Sequence, residues 1–194
     1  MRLAIFGGSF DPPHVGHLLA AEDALEQLSL DRVVFVPAAT QPLKIGRASA
    51  TAEQRLAMVR LLVGGDARFE VSTVEVERAG LSFTVDTVNH FAAAYPAAER
   101  FLLAGADVLA TFAQWREPER ILQLARLAVL EREGEGRLPA LPAGVDARAI
   151  VRLPTRRVDV SSTEIRERVR SGRPIRGFVT DNVAAYIARD GLYR

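Results

Sequence analysis

Short runs of purely apolar residues alternate along the chain with segments whose apolar residues repeat at helical spacing. Buried strands are predicted at residues 3–6, 33–36, 101–104, 125–130 and 149–153, with a further strand-like stretch at 69–76. Strands that are covered on both faces are continuously apolar, so this pattern indicates a mostly parallel sheet between helices. We therefore expect an α/β fold.

The helical segments lie between these strands. Apolar residues repeat at helical spacing over residues 16–29, and again after Thr51, which is predicted to form a capping box with Gln54. Another helix is predicted near 85–95, and helices from Ser162 onward are expected to pack as a C-terminal extension. The pattern indicates one domain over 1–194, with a surface excursion at 133–146.

Composition narrows the class of protein without identifying its chemistry. The formal net charge of +1 provides no strong field that would hold a nucleic acid. The sequence has no cysteine, and no apolar stretch approaches the roughly 18 residues that a membrane span needs. The first six residues form too short an apolar run for a signal peptide. We expect a cytoplasmic protein that binds neither nucleic acid nor membrane, and a closed homo-oligomer is a reasonable expectation.

The first predicted strand ends in a glycine-rich turn, Gly7, Gly8, Ser9 and Phe10. In parallel α/β sheets, ligands bind beyond the carboxyl ends of the strands. Glycine lets the backbone approach a phosphate closely, and the next helix offers free N–H groups at its start. Taken alone, this turn is equally compatible with a purely structural role.

Two histidines, His14 and His17, stand three residues apart where the first helix begins. They are two of only three histidines in the chain, and His17 falls in the first helical turn, directed toward the glycine turn. Imidazole N–H groups suit the charge that develops in phosphoryl transfer. A metal pair is the alternative, although no third ligand lies nearby in sequence and the H-E-x-x-H pattern is absent.

A second hydroxyl-rich segment comprises Ser161, Ser162 and Thr163, with Arg166 one turn later. Ser161 and Glu164 have the spacing of a capping box, which would be a structural role. The same residues also build an anion-binding cradle of backbone N–H groups, hydroxyls and a guanidinium. Both interpretations remain open on spacing alone.

Two segments carry a resemblance to a known family. Residues 7–17, GGSFDPPHVGH, resemble the signature of the H-x-G-H nucleotidyltransferase superfamily, in nearly the wording of bacterial nicotinate mononucleotide adenylyltransferases. Residues 160–166, VSSTEIR, are similar to its I-S-S-T-x-I-R motif, with valine for the first isoleucine. The resemblance implies a Rossmann-like, doubly wound sheet with ATP at the first strand–helix turn. It also implies that the ATP phosphates are held by residues of both motifs: His14, His17, Ser161, Ser162, Thr163 and Arg166.

The middle of the chain extends the resemblance. Residues 82–87 (SFTVDT), 105–107 (GAD) followed by Trp115, and 191–193 (GLY) are similar to segments of the nicotinate enzymes. This implies that Thr84 and backbone N–H groups recognise the nicotinate carboxylate, while Trp115 stacks on the pyridine ring. Gly105 and Asp107 lie just past a strand end, where Asp107 could accept hydrogen bonds from the ribose or adenine of ATP. The alternatives are that Thr84 caps its helix and that Trp115 packs in the core.

Lys44 is the only lysine in the chain. It lies in the sequence QPLK, where the family reads P-P-H-K, so that Leu43 replaces a histidine. By resemblance, Lys44 neutralises charge on the substrate phosphate and in the transition state; a solvated surface lysine is the alternative. Arg132 corresponds more loosely to a family arginine near the substrate phosphate.

The resemblance implies the transfer of AMP from ATP to nicotinate mononucleotide, giving deamido-NAD and pyrophosphate. His17, His14, Lys44 and Arg166 would be the catalytic residues. Mg²⁺ would arrive with ATP, and no dedicated protein metal ligands are expected. Three alternatives stay open: nicotinamide mononucleotide as the acceptor, a phosphopantetheine acceptor, or a non-catalytic sensor that binds ATP or a dinucleotide.

Overall fold

The computed structural model describes residues 1–40, 50–132 and 146–194. The strands are β1 (Arg2–Gly8), β2 (Arg32–Pro37), β3 (Phe69–Val71), β4 (Glu99–Gly105), β5 (Arg126–Arg132) and β6 (Ile150–Thr155). The α-helices are α1 (Val15–Leu28), α2 (Ala52–Val63), α3 (Val74–Arg78), α4 (Thr84–Ala94), α5 (Val108–Thr111), α6 (Pro118–Leu124), α7 (Ser162–Arg170) and α8 (Asp181–Arg189). Within these ranges, no helix combines the length and the apolar character that crossing a membrane would require.

All neighbouring strands of the sheet are parallel, in the order β3-β2-β1-β4-β5-β6. β1 lies in the middle, with Phe6 beside Phe35 of β2 and Leu103 of β4. This arrangement confirms the predicted Rossmann-like α/β fold. The direction of strand succession reverses between β1 and β4, and ligands bind at the carboxyl ends of the strands beside such a reversal.

Both faces of the sheet are covered. Ala4 and Phe6 of β1 point into a core formed with α1, α2, α7 and α8, whereas Leu3 and Ile5 point into a second core formed with α4, α5 and α6. This double burial explains why the strands are continuously apolar in sequence. The C-terminal helices complete the first core and thereby lie on the same face as α1.

Local differences from the sequence prediction concern short elements. The stretch 69–76 was expected to be strand-like throughout, but β3 ends at Val71 and α3 begins at Val74. The β-branched residues there favour a strand, but residues 74–78 form a short helix whose Glu75 is buried and accepts from Thr87 of α4. α5 and α6, with 4 and 7 residues, were not predicted because neither is long enough to show a helical repeat.

Candidate active site

The glycine turn at the carboxyl end of β1 leaves its backbone accessible. A Cβ atom added to Gly7 would meet nothing within 4 Å, and Gly7 is exposed. A Cβ on Gly8 would lie 2.9 Å from Cζ of Phe10, because the Phe10 ring folds back over the turn. Phe10 itself has a φ of 51°, in the left-handed region. A side chain at position 8 would therefore have to displace the Phe10 ring, while position 7 presents open backbone.

His14 and His17 form a stacked pair at the start of α1. His14 is the N-cap residue, and its backbone N–H donates to Nδ1 of His17 at 3.2 Å. The two ring centroids are 3.7 Å apart. A Cβ on Gly16 would approach Nδ1 of His14 to 3.1 Å, so the glycine between the histidines makes room for the first ring.

The hydrogen bond to Nδ1 of His17 determines which ring nitrogen can act as a donor. Because Nδ1 accepts from the His14 amide, the proton of the neutral ring is on Nε2. The ring of His17 is held from the side by Phe10, at 5.0 Å between centroids. In the neutral ring of His17, Nε2 is therefore the donor nitrogen.

The hydroxyl-rich segment begins α7. Ser161 is the N-cap residue, and its Oγ accepts from the backbone N–H of Glu164 at 3.1 Å, so the capping interaction of Ser161 is formed. Thr163 lies in the first turn, and its Oγ1 accepts from Nη2 of Arg166 at 3.2 Å. The capping interaction accounts for Ser161 alone, so the roles of Ser162 and Arg166 must be judged from the residues that they contact.

Ser162 and Arg166 contact the first motif, residues 7–17. Ser162 Oγ donates to the carbonyl oxygen of Pro12 at 2.8 Å, and Nη1 of Arg166 donates to the carbonyl oxygen of Asp11, also at 2.8 Å. The two segments, 150 positions apart at the first of these bonds, are therefore packed against each other. Asp11 and Pro12, the residues contacted, lie between the glycine turn and the histidine pair in the sequence.

Asp11 is the centre of this contact, although its place in the GGSFDPPHVGH segment assigned it no role of its own. It is 4% exposed, and its Oδ1 accepts from the Tyr193 hydroxyl at 2.8 Å and from the Ala50 amide at 3.1 Å. Burial raises the pKa of the Tyr193 phenol, and the nearby Asp11 charge raises it further. The phenol therefore stays protonated and donates to the carboxylate. Tyr193 belongs to the G-L-Y segment, so its position in the motif was the available signal.

Gly105 and Asp107 lie at the carboxyl end of β4, next to β1. The Asp107 carboxylate folds back over the strand end, where a Cβ on Gly105 would be 2.7 Å from Oδ1. Asp107 is exposed. The structure thus places this acceptor on the same edge of the sheet as the glycine turn.

Thr84 and Trp115 lie on two segments that touch. Thr84 is the first residue of α4, whose N-cap is Phe83 without a side-chain capping bond, so the alternative that Thr84 caps the helix is wrong. Trp115 follows a short 3₁₀ helix and is half-buried, with its ring 5.5 Å from that of Phe112. The Arg116 guanidinium carbon lies 4.9 Å from the centroid of the Phe83 ring, which joins the two segments.

A buried carboxyl group supports the Thr84 segment, and sequence reasoning missed it. Glu75 is buried and accepts from the hydroxyl of Thr87, and Ser82 adds a side-chain hydrogen bond. Burial raises the pKa of Glu75 above its ordinary value, an effect that these hydrogen bonds oppose. Ser82 Oγ also accepts from the Ala39 amide at 3.0 Å. Glu75 therefore connects α3 and α4 with the segment that follows β2.

Comparison with known proteins identifies the family. A family model described as cytidylyltransferase-like matches residues 5–168. Two relatives carry the name "Probable nicotinate-nucleotide adenylyltransferase": that of Gemmatimonas aurantiaca is 54% identical over 100% of this chain and 93% of its own, and that of a Thermus thermophilus strain is 44% identical over 100% of both. The chain belongs to the nicotinate-nucleotide adenylyltransferase family.

Solved structures agree with the fold of a nicotinate-nucleotide adenylyltransferase. The nicotinic acid mononucleotide adenylyltransferase of Plasmodium falciparum, complexed with APC, superposes with a TM-score of 0.76 at 16% identity, covering 99% of this chain and 96% of that one. A putative nicotinate-nucleotide adenylyltransferase of Vibrio parahaemolyticus gives 0.70 at 22% identity, covering 100% and 96%. At these identities the likeness establishes the shared architecture.

Two of the residues that the sequence suggested for this family member are not described in full. Lys44 lies outside the described residues, and its role stays a prediction. Arg132 is the last residue of β5, where its backbone pairs with Thr155 of β6. In the described part of the chain, no three histidine, aspartate or glutamate side chains come together as a metal ion would require.

Proposed function

We propose that this chain transfers AMP from ATP to nicotinate mononucleotide through one phosphate-binding site built from both motifs. The observation that carries the proposal is the contact of Ser162 and Arg166 with the carbonyl groups of Pro12 and Asp11. These contacts pack the hydroxyl-rich segment against residues that lie between the glycine turn and the histidine pair in the sequence, which supports a shared site. Membership of the adenylyltransferase family supports the same reaction.

The reaction needs no covalent enzyme intermediate. A phosphate oxygen of the mononucleotide attacks the α-phosphorus of ATP, forming a new O–P bond. The bond from the α-phosphorus to the bridging oxygen breaks, and its electron pair leaves with pyrophosphate. The protein therefore contributes orientation and charge stabilisation.

Each phosphate-contacting residue has a role in this proposal. Nε2–H of His17 donates to the α-phosphate as charge develops there, while His14 orients His17 through its amide and supports the phosphate chain. Residues 7–10 follow the phosphates with their backbone. Ser162, Thr163 and Arg166 hold the β- and γ-phosphates, and Ser161 contributes as the cap of α7. Lys44 offsets charge on the substrate phosphate.

The acceptor would occupy the neighbouring segments. Trp115 supplies a flat apolar ring for the pyridine, and the uncapped start of α4 at Thr84 offers backbone N–H groups to the carboxylate. Asp107, at the end of β4, accepts from the adenosine half. Arg132 is assigned to the phosphate of the mononucleotide.

We also propose Mg²⁺ as the cofactor and the cytoplasm as the location. Mg²⁺ keeps several water ligands and binds chiefly to substrate phosphates in such enzymes. When bound to the ATP phosphates, Mg²⁺ would neutralise part of their charge, and the residues named above would orient the reacting groups.

The test is a pyrophosphate-release assay with Mg-ATP and one acceptor at a time. We expect pyrophosphate and deamido-NAD from nicotinate mononucleotide, with a kcat/KM at least tenfold above that for nicotinamide mononucleotide. A charge-assisted hydrogen bond to the nicotinate carboxylate, of about 1.5–3 kcal/mol, accounts for that ratio. Phosphopantetheine and ATP alone serve as controls and should give background rates.

Other outcomes identify the alternatives. A higher kcat/KM for nicotinamide mononucleotide would show that the carboxylate contact is wrongly assigned. Turnover of phosphopantetheine would move the acceptor to a different class. Binding of ATP without pyrophosphate release from any acceptor would favour the non-catalytic sensor.

A further inference from the structure

Arg55 is a buried arginine that neither motif contains. It lies in the first turn of α2 and is 2% exposed. Met58, Val59 and Leu62 of α2 are also buried, so a charged residue occupies the apolar side of the helix. Arginine is rarely buried unless its donors are satisfied.

The guanidinium donates to three backbone carbonyl groups from separate parts of the chain. Nη1 donates to Ser9 at 2.7 Å, Nη2 to Ala39 at 2.9 Å and Nε to Ala50 at 3.3 Å. Ser9 belongs to the glycine turn, Ala39 follows β2, and Ala50 precedes α2. One planar group therefore fixes the turn after β1 relative to the carboxyl end of β2 and the start of α2.

The same group is part of the Asp11 network. Burial lowers the pKa of the Arg55 guanidinium, and the charge of Asp11 is the largest influence that opposes this effect. Asp11 in turn accepts from Tyr193 and Ala50, and its carbonyl accepts from Arg166. Arg55 thus acts on the residues that join the two motifs without belonging to either.

We propose that Arg55 is a positioning residue for the phosphate-binding turn. By holding the Ser9 carbonyl, it fixes the turn that carries Phe10, and the Phe10 ring contacts the ring of His17 at 5.0 Å. This inference rests on the proposed adenylyl transfer and names a residue that governs its geometry. Displacement of a supporting group by about 1 Å is sufficient to lower turnover by up to 10²-fold.

The test compares Arg55→Lys with Arg60→Lys, an exposed position on the same helix. Lysine keeps the charge but lacks the planar set of donors that reaches three carbonyl groups. We expect Arg55→Lys to lower kcat by about tenfold and to leave KM for nicotinate mononucleotide within about twofold. Arg60→Lys should match the unmodified chain in kcat, KM and Tm.

A double-mutant cycle with His17→Ala separates positioning from a purely structural role. If Arg55 acts through the turn that orients His17, Arg55→Lys should lower kcat by less than about threefold in the His17→Ala background. Equal losses in both backgrounds, or an unchanged kcat with a lowered Tm, would make Arg55 merely structural and overturn the inference.

A milder variant covers the case in which Arg55→Lys does not fold. Tyr193→Phe removes only the hydroxyl that donates to Asp11, and we expect it to lower kcat by about threefold with KM for the mononucleotide unchanged. An unchanged kcat in Tyr193→Phe would also contradict the proposal that the hydrogen bonds around Asp11 position the turn. Failure of the unmodified chain to make any dinucleotide would instead refute the proposed function, so the two outcomes are distinguishable.

Discussion

His17→Ala is expected to lower kcat by two to three orders of magnitude, or about 2.7–4 kcal/mol in the barrier. The hydrogen bond from the His14 amide leaves Nε2 of His17 as the donor, and the Phe10 ring keeps the imidazole in place. Removing the side chain takes away a donor that is already oriented before charge develops on the α-phosphate. The measurement is steady-state pyrophosphate release at saturating Mg-ATP and nicotinate mononucleotide.

The third histidine provides the matched control. His90 is exposed on α4, and His90→Ala should retain kcat within about twofold, as is usual for surface substitutions. A kcat of His17→Ala within tenfold of that of the unmodified chain would show that His17 does not stabilise the transition state. A large loss in both variants would point to a general effect of histidine replacement instead.

Arg166→Ala should have the second-largest effect, chiefly on the use of ATP. The side chain joins the second motif to the Asp11 carbonyl at 2.8 Å, and it is the cation of the hydroxyl-rich segment. Loss of charge-assisted hydrogen bonds of about 1.5–3 kcal/mol corresponds to a 10- to 100-fold fall in kcat/KM for ATP. Initial rates at varied ATP and fixed mononucleotide give this value directly.

Arg170→Ala tests whether the loss of one positive charge is by itself enough to lower kcat/KM for ATP. Arg170 lies one turn further along α7 and is exposed, so its removal changes the net charge equally without touching the contact with Asp11. We expect kcat/KM for ATP within about twofold of the unmodified value. A fall in kcat/KM for the mononucleotide rather than for ATP in Arg166→Ala would assign the guanidinium to the acceptor.

The fold could be predicted because each buried strand leaves a local pattern in the sequence. Runs such as residues 33–36 are apolar throughout, and only strands covered on both faces require that pattern. The short helix α3 was not predicted because Val74 and Val76 are β-branched, and its five residues are too few for a helical repeat. Glu75 of this helix is buried and accepts from Thr87 of α4, a contact that no local sequence pattern reveals.

The residues of the site also differ in whether the local sequence could reveal them. His14, His17 and Ser162 belong to contiguous motifs with recognisable spacing, so the sequence suggested them. Arg55 was not suggested because its role follows from three carbonyl groups that come together only in the folded chain. A charged residue among the apolar positions of α2 was the one signal in the sequence. The reason for the buried charge becomes clear only in the structure, where the carbonyl groups of Ser9 and Ala39 both accept from the Arg55 guanidinium.

A crystal structure with a non-hydrolysable ATP analogue would show whether the two distant segments bind one triphosphate. We expect a single analogue with its α-phosphate within hydrogen-bond distance of Nε2 of His17, and its terminal phosphates in contact with Ser162 and Arg166. An analogue that contacts only one of the two segments, or binds elsewhere on the molecule, would contradict this expectation.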